Sequence, residues 1–128
     1  MNDFFYFSAL DIDVEDLHVA ISGIEQYSSF LSKNEKNLQI EVISNDKNVR
    51  WDIYEMNIDE DFSDAGSLNT IKESGAVSCF CVSHHSWTLN ELGKLFMIFI
   101  SIFGGWVGND SDGFEPKFTL ENISFLSY

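Results

Sequence analysis

The chain has 128 residues, 45% of them hydrophobic and 15% aromatic, which suits one domain with a real core and excludes a disordered segment. Its 21 acids against 7 bases give a formal net charge of −14, so binding to phosphate backbones or anionic lipid surfaces is not expected. A strongly acidic globule attracts basic proteins instead, although acidity also serves plain solubility.

The opening MNDFFYFSALDID has neither a basic stretch nor a small-residue cleavage site, so no secretory signal is expected. FFYFSAL, Phe4 to Leu10, reads as a first strand. Asp13 then offers an N-cap, with Glu15 and Asp16 in the first turn, where a helix dipole favours anions. Apolar residues at Val14, Leu17, Ile21, Ile24 and Leu31 keep a helical spacing with a gap at Ser28. They predict an amphipathic helix reaching Ser32, with Gly23 as its weak point.

A hairpin follows. Leu38, Ile40 and Val42 share one face of LQIEVI, and Val49, Trp51 and Ile53 share one face of VRWDIYE, joined through SNDKN. Such alternation predicts a sheet with one covered face, and places Trp51 in the core. From Asp52 to Asp64 the chain carries six acids (Asp52, Glu55, Asp59, Glu60, Asp61, Asp64) and no base. The piece between Gly66 and Gly75 reads as a loop or a helical turn. AVSCFCV, Ala76 to Val82, has the near-continuous apolar run of a central strand.

Thr88 and Glu91 form a capping box for a helix from Leu89 to Phe103, apolar all round in its second half and therefore expected to be buried. The longest apolar run, Leu95 to Val107, covers 13 residues. A membrane span needs roughly 20, so no spanning helix is expected. Gly104-Gly105 stops the helix, WVGN reads as a strand, and FEPKF as its return, confined to an edge by Pro116. TLENISFL predicts a last helical turn with Thr119 as N-cap. The sum is an α+β domain spanning 1–128, a mainly antiparallel sheet with two principal helices packed on one face.

The chemistry-bearing clusters are few. In GNDSDG, placing Gly113 at the sixth position of a calcium loop puts Gly108 first and Thr119 twelfth, where an acid or amide and a bidentate Glu are needed; a hairpin turn is the better reading. Cys79, Cys81, His84 and His85 lie within seven residues, too compressed for the paired-ligand spacing of structural zinc. The cysteines read as reduced core fillers, about 7 Å apart on one strand face and poorly placed for a mutual disulfide, and the histidines as a strand end at the surface. His18 with His84 or His85 would need local cations to stabilise a phosphoryl transition state, and the seven bases are scattered. No catalytic residue, metal ligand or cofactor is therefore expected.

The acidic segment is left as the candidate site. Carboxylates interleaved with aromatics imitate phosphates before a cationic cleft, with Tyr54 and Phe62 as exposed apolar anchors. The candidate partner-binding residues are Asp52, Tyr54, Glu55, Asp59, Glu60, Asp61, Phe62 and Asp64, followed by the turn acids Asp110, Asp112 and Glu115.

The C-terminal third carries a resemblance. A capped apolar helix running into Gly104-Gly105-Trp106-Val107, an Asp/Gly turn, Phe114 and Phe118-Thr119-Leu120-Glu121-Asn122-Ile123 resembles the tails of small bacterial immunity proteins. Those proteins neutralise toxin domains of contact-dependent growth inhibition and other polymorphic toxin systems. The resemblance implies a cytoplasmic, non-enzymatic inhibitor, monomer or weak dimer, that plugs one cognate toxin, often a basic nuclease. An acidic adaptor binding a basic protein without any toxin is the alternative.

Overall fold

The computed structural model describes residues 2–33, 38–46, 49–84, 89–109, 114 and 117–123. The element order is β1 (Asn2–Ser8), α1 (Val14–Ser22), β2 (Tyr27–Lys33), β3 (Leu38–Ser44), β4 (Val49–Met56), α2 (Ile58–Asp61), α3 (Ala65–Glu73), β5 (Ser78–His84), α4 (Leu89–Phe103) and β6 (Trp106–Gly108). The strands form one six-stranded sheet in the order β2-β3-β4-β5-β1-β6, with every pair antiparallel. The fold is α+β, as the alternation of the strands predicts.

Two hydrophobic layers sit on opposite faces of this sheet. On the first, α1 contributes Val14, Leu17 and Ile21 and α4 contributes Leu92, Leu95, Phe96, Phe99 and Ile100, over Tyr6, Ile40, Val42, Trp51, Ile53, Phe80 and Val82. On the second, Phe62, α3's Ile71 and Phe114 pack with Phe5, Phe7, Cys79 and Cys81, and with Trp106 of β6 beside Phe7. Strand β1 serves both, because successive side chains leave a strand on opposite faces. Tyr6 thus stacks on Phe80 and Phe99, while Phe7 stacks on Trp106.

Strand β1 also closes the end of α4. The Tyr6 hydroxyl donates to the Gly104 carbonyl at 2.7 Å, and the Ser8 hydroxyl donates to that of Phe103 at 3.0 Å. The Phe103 carbonyl ends the last turn, where the helix itself offers no donor, and that of Gly104 lies just beyond it. Burial pushes the Tyr6 phenol well above its ordinary range. Gly104 and Gly105 adopt φ of 73° and 94°, and a Cβ on Gly105 would lie 1.8 Å from the Phe7 carbonyl oxygen. The chain turns here only because the position has no side chain.

Several expectations need correction. The helix predicted to reach Ser32 stops at Ser22, with Gly23 as C-cap, and Tyr27–Lys33 is an edge strand. Ile24 and Leu31 fit a helical period, but YSSFLSK is poor in helix formers and pairs fully with β3. The first strand lies two residues earlier than its sequence reading, leaving Leu10 exposed. The ambiguous piece from Gly66 to Gly75 is largely α3, capped by Asp64.

Helix α4 is not buried all round: Met97 and Ile102 are exposed beside a groove of about 560 Å³ that Ile24, Tyr27 and Ile98 also line. A helix laid on a single sheet face can bury only one side. His84 is 2% exposed against the Phe4 ring, not at the surface. The FEPKF return is represented by one bridge, Val107 to Phe118, and Thr119 heads a short turn whose Ile123 N–H donates to the Thr119 carbonyl. Among the described residues, no helix is long and apolar enough to cross a membrane.

Candidate functional site

The second face of the sheet is covered only in part. Beneath Phe62, Ile71 and Phe114 lie Phe5, Phe7, Cys79, Cys81 and Trp106. Beyond them the strand registers set one row of side chains straight across five strands. Asp3 pairs with Ser83, Ser83 with Asp52, Asp52 with Glu41, and Glu41 with Phe30. Three carboxylates thus lie along one line of a single face.

Within this row the Ser83 hydroxyl donates to Asp3 Oδ1 at 2.9 Å. Arg50 donates through Nη2 at 2.7 Å and Nε at 3.1 Å to one oxygen of Glu41. Asp52 stands between them with no side-chain hydrogen bond or ion pair among the described residues. Like charges directly opposite on neighbouring strands are destabilising, and among the described residues only Glu41 of this row has a cation to offset the cost.

The next row holds Phe5, Cys81, Tyr54 and Gln39. Tyr54 is half-buried at the rim of the aromatic layer and lines a cleft of about 460 Å³ with Glu55, Met56, Asn57, Glu60 and Asp61. No base lines it. The Tyr54 phenol is raised above the usual tyrosine range first by its hydrogen bond to the Cys81 side chain, then by burial, and further by the fields of Asp3 and Asp61. One tyrosine therefore reports both the sheet row and the α2 acids.

The acids proposed from sequence divide by what they hold. Glu55 lies on the other face and accepts the Val14 N–H at 2.8 Å, an N-terminal donor of α1. Asp61 accepts the Asn57 N–H at 2.6 Å, while Asn57 caps α2 through Asp59 N–H and Glu60 N–H, each at 3.0 Å. Asp64 caps α3 through the Ser67 N–H at 2.9 Å, and that bond holds its carboxyl below the ordinary range. Asp59 pairs with Lys72 at 2.8 Å. Glu60, like Asp52, carries no such bond among the described residues.

Phe62 is corrected outright. It is 7% exposed and packs edge-on against Phe5 and Phe114, so it belongs to the second core and offers no anchor to a partner. Its flanking acids disguise it in the sequence. Asp110, Asp112 and Glu115 lie outside the described residues, as do His85, Thr88 and the GNDSDG turn beyond Asn109.

Sequence reading missed Asp3 and Glu41, because only the register sets them beside Asp52. The soft-ligand cluster comes apart on the same principle. Strand alternation sends Cys79 and Cys81 into the second core and His84 into the first, on opposite sides of the sheet. Both cysteines are buried and neither is in a disulfide, and burial raises the Cys79 thiol well above its usual range.

No protein-family model, curated protein or solved structure matches the chain.

Proposed function

We propose that the chain is an immunity protein that binds and neutralises a cognate cationic toxin domain, of nuclease type, and catalyses nothing itself. The observation that carries this reading is the row Asp3–Ser83–Asp52–Glu41, three carboxylates aligned on the part of the second sheet face that lies beyond the Phe62–Ile71 layer. Such a row weakens the free protein and gains its return only when a cation docks on it. Tyr54 supplies the rigid amphipathic surface favoured at interface centres, and Glu60 and Asp61 extend the negative field along the cleft. The resemblance of the C-terminal third to immunity proteins supplies the toxin, and with it a cytoplasmic site of action.

The test starts from a pull-down with the intact chain from the producing bacterium, the bound protein being identified by mass spectrometry. A basic toxin domain is expected, and co-expression of the chain should restore growth to cells expressing that domain. The triple variant Asp3→Asn, Asp52→Asn, Glu60→Gln should then associate more slowly in stopped flow, with a flatter salt dependence. A partner that is bound but not inhibited would favour the adaptor reading, and unchanged association rates would remove the open face from the account.

A further inference from the structure

The two edges of the sheet are finished differently. Strand β6 is three residues long and has Phe118 bridged to Val107 beyond it. Strand β2 is seven residues long, pairs with β3 from Tyr27↔Ser44 to Lys33↔Leu38, and has no strand on its other side among the described residues. Edges of that length are usually blunted by proline, a bulge or inward charge. Tyr27–Lys33 has no proline, glycine or acid, and one lysine at its end. Phe30 is 56% exposed and Leu31 is 40% exposed, one on each face of the strand.

We propose that β2 is a self-association edge, joining a second copy of this chain antiparallel across a two-fold axis at Phe30. In that register Phe30 meets Phe30 of the other copy, Ser29 meets Leu31, Ser28 meets Ser32, and Tyr27 meets Lys33. Every pair is uncharged or carries a single charge, although the chain has 21 acids. Lys33 of each copy reaches the strand start of the other, where Glu25 stands. A cationic partner would find no carboxylate on this strand, whereas a second copy brings Lys33 to the strand start beside Glu25, a local charge match within an otherwise neutral seam. The unpaired backbone N–H and C=O groups supply the bonds, and Phe30 and Leu31 the apolar contact. The acidic row on the open face is not consumed, so this inference stands apart from the toxin reading.

Salt separates the two. Self-association brings two chains of −14 together and strengthens as salt screens them, whereas docking of a cationic partner weakens. Sedimentation equilibrium of the intact chain, from about 1 μM to about 1 mM, should show a dimer that rises with concentration and with salt. Phe30→Lys should weaken it at least about tenfold with the circular dichroism unchanged. Phe30→Cys should form a disulfide-linked dimer on mild oxidation, because Cys79 and Cys81 are buried. Ser28→Cys mixed with Ser32→Cys should cross-link as a heterodimer, and neither of the two alone. A chain monomeric throughout, or a dimer untouched by Phe30→Lys and lacking these cross-links, overturns the proposal.

Discussion

Asp52 on β4 and Glu41 on β3 are direct cross-strand partners, two carboxylates on adjacent strands of one open face. Arg50 donates to Glu41 and leaves Asp52 without a cation among the described residues. Such opposition is worth roughly 0.2–1 kcal/mol against folding. Asp52→Asn is therefore expected to raise the unfolding free energy by a few tenths of a kcal/mol, up to about 1 kcal/mol, with an unchanged urea slope. The same change should slow association with the cationic partner. A variant that loses stability on this substitution would show that Asp52 is structural.

Glu55 should behave in the opposite way. It accepts the Val14 N–H at the start of α1, beside the reciprocal Asp13–Asp16 capping box. Glu55→Ala is expected to cost about 1 kcal/mol in chemical denaturation, as other lost helix caps do, and to leave partner association rates nearly unchanged. A large change in association rate with full stability would return Glu55 to the interface.

Phe62 fills the second core between Phe5, Phe7 and Phe114. Phe62→Ala should cost about 3–5 kcal/mol, while Phe62→Leu, which keeps most of the volume, should cost much less. Thermal unfolding of the two variants reads the difference. An interface anchor would instead leave the melting temperature alone and shorten the lifetime of the complex.

Asp64 supplies a pH signature. Its folded carboxyl is depressed below the ordinary 3.8 by hydrogen bonding from Ser67. A depressed acid contributes stability that is present above its unfolded value and lost as pH falls through the folded one. Asp64→Ala should therefore be less stable than the parent near neutrality, and the gap should close on acidification. Asp64→Asn, which also caps helices, should keep much of the neutral-pH stability and lose the pH dependence. A gap that stays constant with pH would remove the charge from the cap.

Gly105 tests the junction between α4 and β6. Its φ of 94° and the Phe7 carbonyl in the place of a Cβ make Gly105→Ala strained in both conformation and space. That variant should be strongly destabilised or fail to fold. Gly104→Ala meets no atom within 4 Å and carries only the backbone strain, so it should be milder.

Strand and helix types were largely legible, because β3, β4 and α4 each have one dominant period: Leu38/Ile40/Val42, Val49/Trp51/Ile53, and the packed run from Leu92 to Ile100. The exception was β2, where Ile24 and Leu31 happen to continue the spacing of α1 while tertiary pairing with β3 decides the outcome. The site was legible only as composition. That Asp52 is an open acid follows from its strand face, but its alignment with Asp3 and Glu41 depends on strand order and register, which involve residues up to 80 apart. Phe62 was misread for the same reason, since burial under a second layer leaves no periodic mark in a short acidic segment.

The position of β1 has a kinetic consequence. It is the first of the six strands to leave the ribosome, yet its neighbours are β5 and β6, so it must wait unpaired until they are made. The β2-β3-β4 meander needs only local hairpins and can nucleate first, with the aromatic N-terminal strand inserting late between two partners. Refolding should accordingly be slower than the helix content suggests, and nascent chains halted before β5 should engage chaperones through Phe4, Phe5, Tyr6 and Phe7.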